Sequence, residues 1–367
     1  MPSLNKNFLL DKKRRLNKKK ITWVVSQEES VGDFKSIQQA IDALSGDDLK
    51  DSCYQIMIKN GLYHERIHLT HNNVQLIGED AEKTIISMSL CNQMIVQDGS
   101  IPGTYGSNVV NIDAKCCEIK NLTIRNDFDF ITNQQRDVDD PEQYKHTQSV
   151  ALLLGHNADQ IHCENIQLIS YHDTLYASAG RSYFDNCMVS GSIDFIFGAG
   201  QALFHECDIV ARKHLNPAKD KRWGYLTAPS TDINQPQGFI FHHCRLLKEE
   251  GVPKLSYALG RPWHPTTVFD DGRYADPNAI GHCAFLECQI DDHIYGWDRM
   301  SGKSLTGEMM WFEPESARFE EYQNMALTHS NLSLSFFSPL PRQKADQLMQ
   351  QAQFSLQQWL PTLRCFG

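Results

Sequence analysis

The sequence predicts an all-β chain wound as a parallel β-helix, and two observations carry that prediction. First, Phe-x-x-Cys-x-(aliphatic) recurs four times, as Phe184-x-x-Cys187-x-Val189, Phe204-x-x-Cys207-x-Ile209, Phe241-x-x-Cys244-x-Leu246 and Phe285-x-x-Cys288-x-Ile290. Second, the fragments "HNNVQLIG" (71–78), "KCCEIKNLTIR" (115–125) and "IHCENIQLIS" (161–170) are related short strands with period-2 alternation. Copies are separated by irregular intervals of about 20 to 44 residues. A fixed unit with variable connections marks a solenoid, and units without helices between them leave the β form.

Taken in order, residues 1–20 form a basic tail: Lys6, Lys12, Lys13, Arg14, Arg15, Lys18, Lys19 and Lys20 against the single acid Asp11. Such a segment is expected as a solvated arm outside the fold. Only Phe8, Leu9 and Leu10 are apolar together there, so no export signal with an apolar core is read. Residues 21–325 are assigned to the β-helix. At its start "DFKSIQQAIDAL" (33–44) predicts a capping helix, with Asp33 as N-cap and Phe34, Ile37, Ile41 and Leu44 on one face. Residues 326–367 form a C-terminal segment. In it "RQKADQLMQQAQFSLQQWL" places Ala345, Leu348, Met349, Ala352, Leu356, Trp359 and Leu360 on one helical face, bracketed by Pro341 and Pro361.

Charge excludes some partners. The net charge of −10, less the tail's +7, leaves −17 for the body, a poor match for nucleic acid. The longest clean apolar run, Val150 to Leu154, is too short to span a bilayer. The eleven cysteines are an odd number, so at least one has no partner in the chain. Cys187 and Cys207 occupy the same repeat position twenty residues apart. One coil advances by roughly 4.8 Å, which puts them in disulfide range. They are either a bridge, worth about 3 kcal/mol, or two rungs of a buried thiol ladder. Cys53, Cys91, Cys116, Cys117 and Cys365 fit no bridge pattern and no zinc spacing, so no metal site is expected.

One stretch does not fit a purely structural solenoid. "GSIDFIFGAG" (191–200) reads as a buried strand, Ile193 to Phe197, with the carboxylate of Asp194 inside it. A buried charge costs several kcal/mol unless something specific holds it. Twenty-one residues earlier, Asp173-Thr-Leu-Tyr176 has the same pattern as Asp194-Phe-Ile-Phe197. At coil spacing the two carboxylates stack. They cannot easily both ionise, so one pKa rises and the other falls, as in an acid–base dyad.

These residues carry a family signature. With "NGLYHERI" (60–67), "LTIRNDFDF" (122–130), "TQSVALLL" (147–154), "HDTLYAS" (172–178), "GYLTAPST" (224–231), "LGRPWHPTT" (259–267), "DGRYADPNAIG" (271–281), "DDHIYGWDRMSGK" (291–303) and "WFEPESARFEEY" (311–322), the chain resembles the pectin methylesterases (pectinesterases). The likeness is nearest to the type found in enterobacterial plant pathogens and covers about residues 21 to 365. It implies a single-domain right-handed parallel β-helix with short capping helices at the ends. It implies hydrolysis of galacturonate C6 methyl esters in pectin, without a metal or cofactor, by a monomer that is secreted or periplasmic. By the resemblance Asp194 is the nucleophile and Asp173 the general acid and base. Arg261 holds the nucleophile, and Gln148 is an oxyanion donor. Trp263, Tyr176, Phe197, Thr104 and Met300 contact the sugar chain. The acidic body leads to the expectation of a preference for highly methylated pectin over its anionic product.

One position departs from the pattern: His172 stands where the family has a second oxyanion glutamine. A neutral imidazole offers one N–H, whereas loss of a donor costs on the order of 10²–10³ in kcat. Three outcomes stay open: retained activity, slowed activity, or a new pH dependence near neutrality. The alternative to an active esterase is a catalytically weakened or inactive pectin-binding relative. A polygalacturonase on the same solenoid is disfavoured by the Gln148, Arg261 and Trp263 motifs, and a thioesterase is a minor reading.

Overall fold

A computed structural model describes residues 19–28, 30–44, 52–96, 99–215, 221–327, 333–337 and 339–363. The basic tail therefore lies almost wholly outside the described residues, as does Cys365. Three sheets of ten, seven and ten strands stack side by side, and through the middle of the stack each coil contributes a strand to each sheet in turn. Neighbouring strands of these sheets pair in parallel, as in Arg181–Asp185 on Gln201–His205 and the latter on Phe239–His242, except for the last pair, Asn324–Ala326 with Ser333–Leu334, which is antiparallel. The parallel β-helix is thus confirmed.

The repeat has a physical explanation at each of its positions. Its phenylalanines form an interior column, Phe184, Phe204, Phe241 and Phe285, with ring centroids 4.7, 4.5 and 4.5 Å apart and nearly parallel ring planes. That is the spacing of offset stacking, and all four are fully buried. The third position turns the corner: Asn186, Glu206, His243 and Glu287 all have φ near +50°. The cysteines then form a second column. Each Sγ donates to a carbonyl one coil back, Cys187 to Cys163, Cys207 to Phe184, Cys244 to Phe204 and Cys288 to Phe241, at 3.4 to 3.5 Å.

Cys187 and Cys207 are free thiols, which corrects the candidate disulfide. Every rung satisfies its sulfur on backbone, and a bridge would take two rungs out of that register. Burial pushes these thiols well above their ordinary pKa and keeps them protonated.

The N-terminal helix is Ile37–Asp42, and its cap is Ser36 rather than Asp33. Glu65, from the next coil, accepts from the amides of Ile37 and Gln38 at 2.9 Å. Asp33 instead accepts from the Val24 amide at 2.8 Å. The C-terminal helix spans Arg342–Leu363 and runs through Pro361 instead of stopping before it. Ala345, Leu348 and Ala352 pack on Leu203, Ile240, Ala284, Leu286 and Tyr322, so this helix lies across the outer face of a ten-stranded sheet. The side chains of Trp359 and Leu360 lie outside the described residues. Among the described residues no helix is long and apolar enough to cross a membrane.

Candidate active site

The seven-stranded sheet carries the predicted site. Leu175 pairs with Ile196 and Tyr176 with Phe197, and an isolated bridge joins His172 to Ile193. This 21-residue register brings Asp173 and Asp194 to adjacent positions on adjacent coils. The strand itself begins at Ile196, not Ile193. Asp194 precedes it at a corner, with φ 48°, and Asp173 occupies the equivalent corner with φ 66°. Left-handed backbone is strained for residues other than glycine and is tolerated where surrounding structure enforces it. After Phe197 the chain needs Gly198: its φ is 122°, and a Cβ there would meet the Ala177 carbonyl oxygen at 2.1 Å.

The charge among apolar residues is held by Arg261. Its Nε and Nη2 donate to the two oxygens of Asp194 at 2.8 and 2.6 Å, a two-pronged contact that fixes the carboxylate plane. Arg261 in turn stacks 3.8 Å above the ring of Tyr225. Burial weighs against the guanidinium charge, but the Asp194 carboxylate outweighs it and raises the Arg261 pKa.

Asp173 has no such partner. Its burial, then the neighbouring Asp194 charge, raise its pKa well above the carboxylate range, with Arg261 opposing more weakly. The pair is therefore asymmetric, with one carboxylate locked to a cation and the other favouring its protonated form. His172, Asp173 and Asp194 each place a side-chain donor atom within 4.8 Å of the others.

His172 is closed in as well. Burial pushes its pKa down to about 4, with Arg261 and His146 adding to the shift and Asp194 opposing it. The ring is neutral from weakly acid pH upward, so a charge change of His172 near neutrality is not expected. Its Nδ1 lies 3.0 Å from the Thr147 hydroxyl, and its Nε2 lies 3.6 Å from Asp173 Oδ1. Gln148 Oε1 is buried without a hydrogen-bond partner among the described residues. The Gln148 side chain lines the same cleft as Asp173 and Asp194.

These groups open onto a cleft of about 250 Å³ lined by Thr104, Tyr105, Gln148, His172, Asp173, Tyr176, Asp194, Phe197, Ala228, Trp263 and Met300. Every predicted site residue lines it except Arg261, which lies behind Asp194. Tyr176 stacks on Phe197 at 4.1 Å, and Trp263 meets Phe197 edge-on at 5.5 Å, giving an aromatic wall. Met300 comes from the hairpin of strands Met300–Lys303 and Met309–Phe312, and Thr104 from the short helix Gly103–Gly106. Sequence reasoning missed Tyr105, Thr147 and Tyr225. Thr147 is next to the singled-out Gln148, and Tyr225 lies in a quoted segment; no spacing marks either.

The chain is similar to known proteins in sequence and in fold. A family model described as Pectinesterase matches residues 22–271. The chain is similar to Pectinesterase A of Dickeya dadantii, 44% identical over 302 residues, covering 82% of each chain. Among solved structures it is similar to pectin methylesterase PemA from Erwinia chrysanthemi, with a TM-score of 0.82 and 44% identity over 88% of this chain and 94% of that one. It is also similar to the pectin methylesterase from Yersinia enterocolitica, with a TM-score of 0.80 and 44% identity over 85% and 96%. A pectin methylesterase in complex with hexasaccharide VII matches with a TM-score of 0.83 and 44% identity over 88% and 94%.

Proposed function

The chain belongs to the pectinesterase family, and from that premise we propose how its residues remove methyl groups from pectin. The protein is a carbohydrate esterase that demethylesterifies pectin. The observation that carries the residue roles is the asymmetric pair, Asp194 held by the Arg261 fork and Asp173 with its pKa raised by burial.

In this reading a methylated galacturonate unit lies against Trp263, Tyr176 and Phe197, with its C6 carbonyl over Asp194. Thr104 and Met300 border the chain on the cleft's other sides. An Asp194 carboxylate oxygen attacks the carbonyl carbon, and the carbonyl electrons move onto oxygen. The Gln148 NH₂ donates to that oxyanion. Neutral His172 supplies the second donor: a Thr147 hydroxyl donating to Nδ1 keeps the ring proton on Nε2, on the side of Asp173. As the tetrahedral centre collapses, the C–O bond to methoxide breaks and Asp173 gives it a proton, releasing methanol. The remaining acyl-enzyme is an anhydride of Asp194. Water then attacks the galacturonate carbonyl carbon of the anhydride and Asp173 takes one water proton; the bond from that carbon to the Asp194 oxygen breaks, restoring the Asp194 carboxylate, and the product acid leaves and ionises in solution. No metal or cofactor enters this route. A polymeric substrate supports the reading of a secreted or periplasmic enzyme, and the residues of this route all come from one chain, as action by a monomer requires.

The binding-only alternative is not favoured, because His172 is neutral, oriented and within the cleft. The test measures methanol and reducing ends from highly methylated pectin, for the parent chain and Asp194→Asn. Methanol release lost in the variant, with no reducing ends from either, supports the assignment. Methanol release that survives Asp194→Asn overturns it.

A further inference from the structure

Away from the catalytic sheet, the corner after the Phe-x-x-Cys strands carries an unexplained set of side chains. Strand register stacks His205 on His242, and His242 on Leu286. The next residue on each coil, Glu206, His243 and Glu287, turns with φ of 52, 55 and 55°. On earlier coils this corner is held by Asn121, Asn165 and Asn186, at φ of 53, 51 and 50°. Asparagine adopts left-handed backbone more readily than glutamate or histidine. Asn165 Nδ2 also donates to Asn121 Oδ1 at 2.9 Å, so the asparagine corners bond along the stack. Three consecutive coils give up that residue for ionisable ones.

The replacements converge. His242, His243 and Glu287 each place one donor atom within 4.8 Å of the other two. His243 Nε2 lies 3.5 Å from Glu287 Oε2. Behind them His205 Nδ1 faces His242 Nδ1 at 3.1 Å, with the rings stacked at 5.2 Å. Beside them lies a surface depression lined by Asn186, Glu206, His243, Arg245, Glu287 and Gln289. Arg245, which lines the depression, is engaged by Asp208 through both oxygens at 2.7 and 2.6 Å.

We propose that His242, His243 and Glu287 form a binding site for a divalent first-row transition ion of the zinc type, clipping two successive coils of the solenoid together. Two imidazoles and a carboxylate suit such an ion rather than magnesium or calcium, which prefer oxygen-only cages. A proton shared from His242 Nδ1 to His205 leaves His242 Nε2 free as ligand, the usual outer-shell arrangement of a ligating histidine. Three protein donors leave further positions to water from the depression. The expectation of no metal site came from cysteine spacing; these ligands are 44 residues apart in sequence, His243 to Glu287, and meet only through coil register.

The experiment titrates zinc chloride into the full chain by calorimetry and follows the thermal midpoint, with magnesium chloride as the comparison. His243→Asn is the key variant, because asparagine suits the left-handed corner and the fold is retained; Glu287→Gln is the second. Expected are one saturable zinc equivalent, no response to magnesium, and a midpoint rise of roughly 3–4 °C at a hundredfold excess over Kd. Both variants should weaken zinc binding by about tenfold or more, while methanol release by the zinc-free proteins is unchanged. No saturable zinc binding by the parent chain overturns the proposal. So does binding that His243→Asn and Glu287→Gln leave intact.

Discussion

Arg261→Lys separates the geometry of the Asp194 contact from its charge. Lysine keeps the positive charge but cannot reproduce the two parallel bonds of 2.8 and 2.6 Å, nor the stack 3.8 Å over Tyr225. One charge-assisted hydrogen bond to a carboxylate that is only 6% exposed is lost. Such a bond is worth ~1.5–3 kcal/mol, and about 1.4 kcal/mol is a factor of ten in rate. The expected loss is therefore roughly ten- to a hundredfold in kcat, with a smaller change in KM because the substrate wall is untouched. Arg261→Ala goes further. It leaves a buried carboxylate without its cation, which costs about 3–5 kcal/mol of stability. The assay is initial-rate methanol release from highly methylated pectin at saturation, alongside thermal melts of all three proteins. A lysine variant within twofold of the parent kcat, at an unchanged midpoint, would refute the claim that the fork positions the nucleophile.

Asp173→Asn should lower kcat by about 10²–10⁴-fold, the usual worth of a positioned acid–base group, while raising the thermal midpoint. The sign follows from its raised folded pKa: the Asp173 contribution is present below the unfolded carboxylate pKa and lost as pH rises through the folded value. The variant's advantage should accordingly grow from pH 4 to pH 8 in melts, and the parent's activity should fall as Asp173 loses its proton. His172→Ala should lose on the order of 10²-fold in kcat, and His172→Gln should recover most of it; equal activity of alanine and histidine would remove His172 from the oxyanion site. The folded pKa of His172 is depressed to about 4, so its contribution to stability is full above the unfolded value of 6.5 and lost as pH falls toward 4. Melts of His172→Gln should be flatter than the parent's over that window. Because Cys187 and Cys207 are thiols, a reductant should leave the parent's midpoint within about 1 °C; a fall of several degrees would mean a bridge exists.

What could be read from the chain follows the range of the forces involved. Coil stacking repeats the same neighbour interaction, so it leaves a repeat in sequence, and the repeat pointed to the solenoid and to the Asp173–Asp194 register. The family motifs supplied Arg261, Gln148 and the aromatic wall. Interactions that occur once leave no periodic trace. Glu65, twenty-eight residues beyond Ile37, accepts from the first helical amides beside the Ser36 cap, a contact with no local trace in the sequence. Thr147 matters only through the Nδ1 of His172, and Tyr225 only as the floor beneath Arg261. The disulfide question turned on a satisfied sulfur, Cys207 donating to Phe184, which the sequence spacing of two cysteines does not encode.

The corner column also bears on how the protein comes apart. In a solenoid each coil touches only its neighbours, so unfolding can start at either end and travel inward one coil at a time. The catalytic carboxylates occupy middle coils, with the strands of Leu175–Ala177 and Ile196–Gly198 flanked by further coils on both sides. Fraying at the termini must consume several coils before it reaches Asp173 or Asp194. Turnover should then outlast the first loss of backbone protection on warming, with hydrogen exchange rising at the end coils while methanol is still being released.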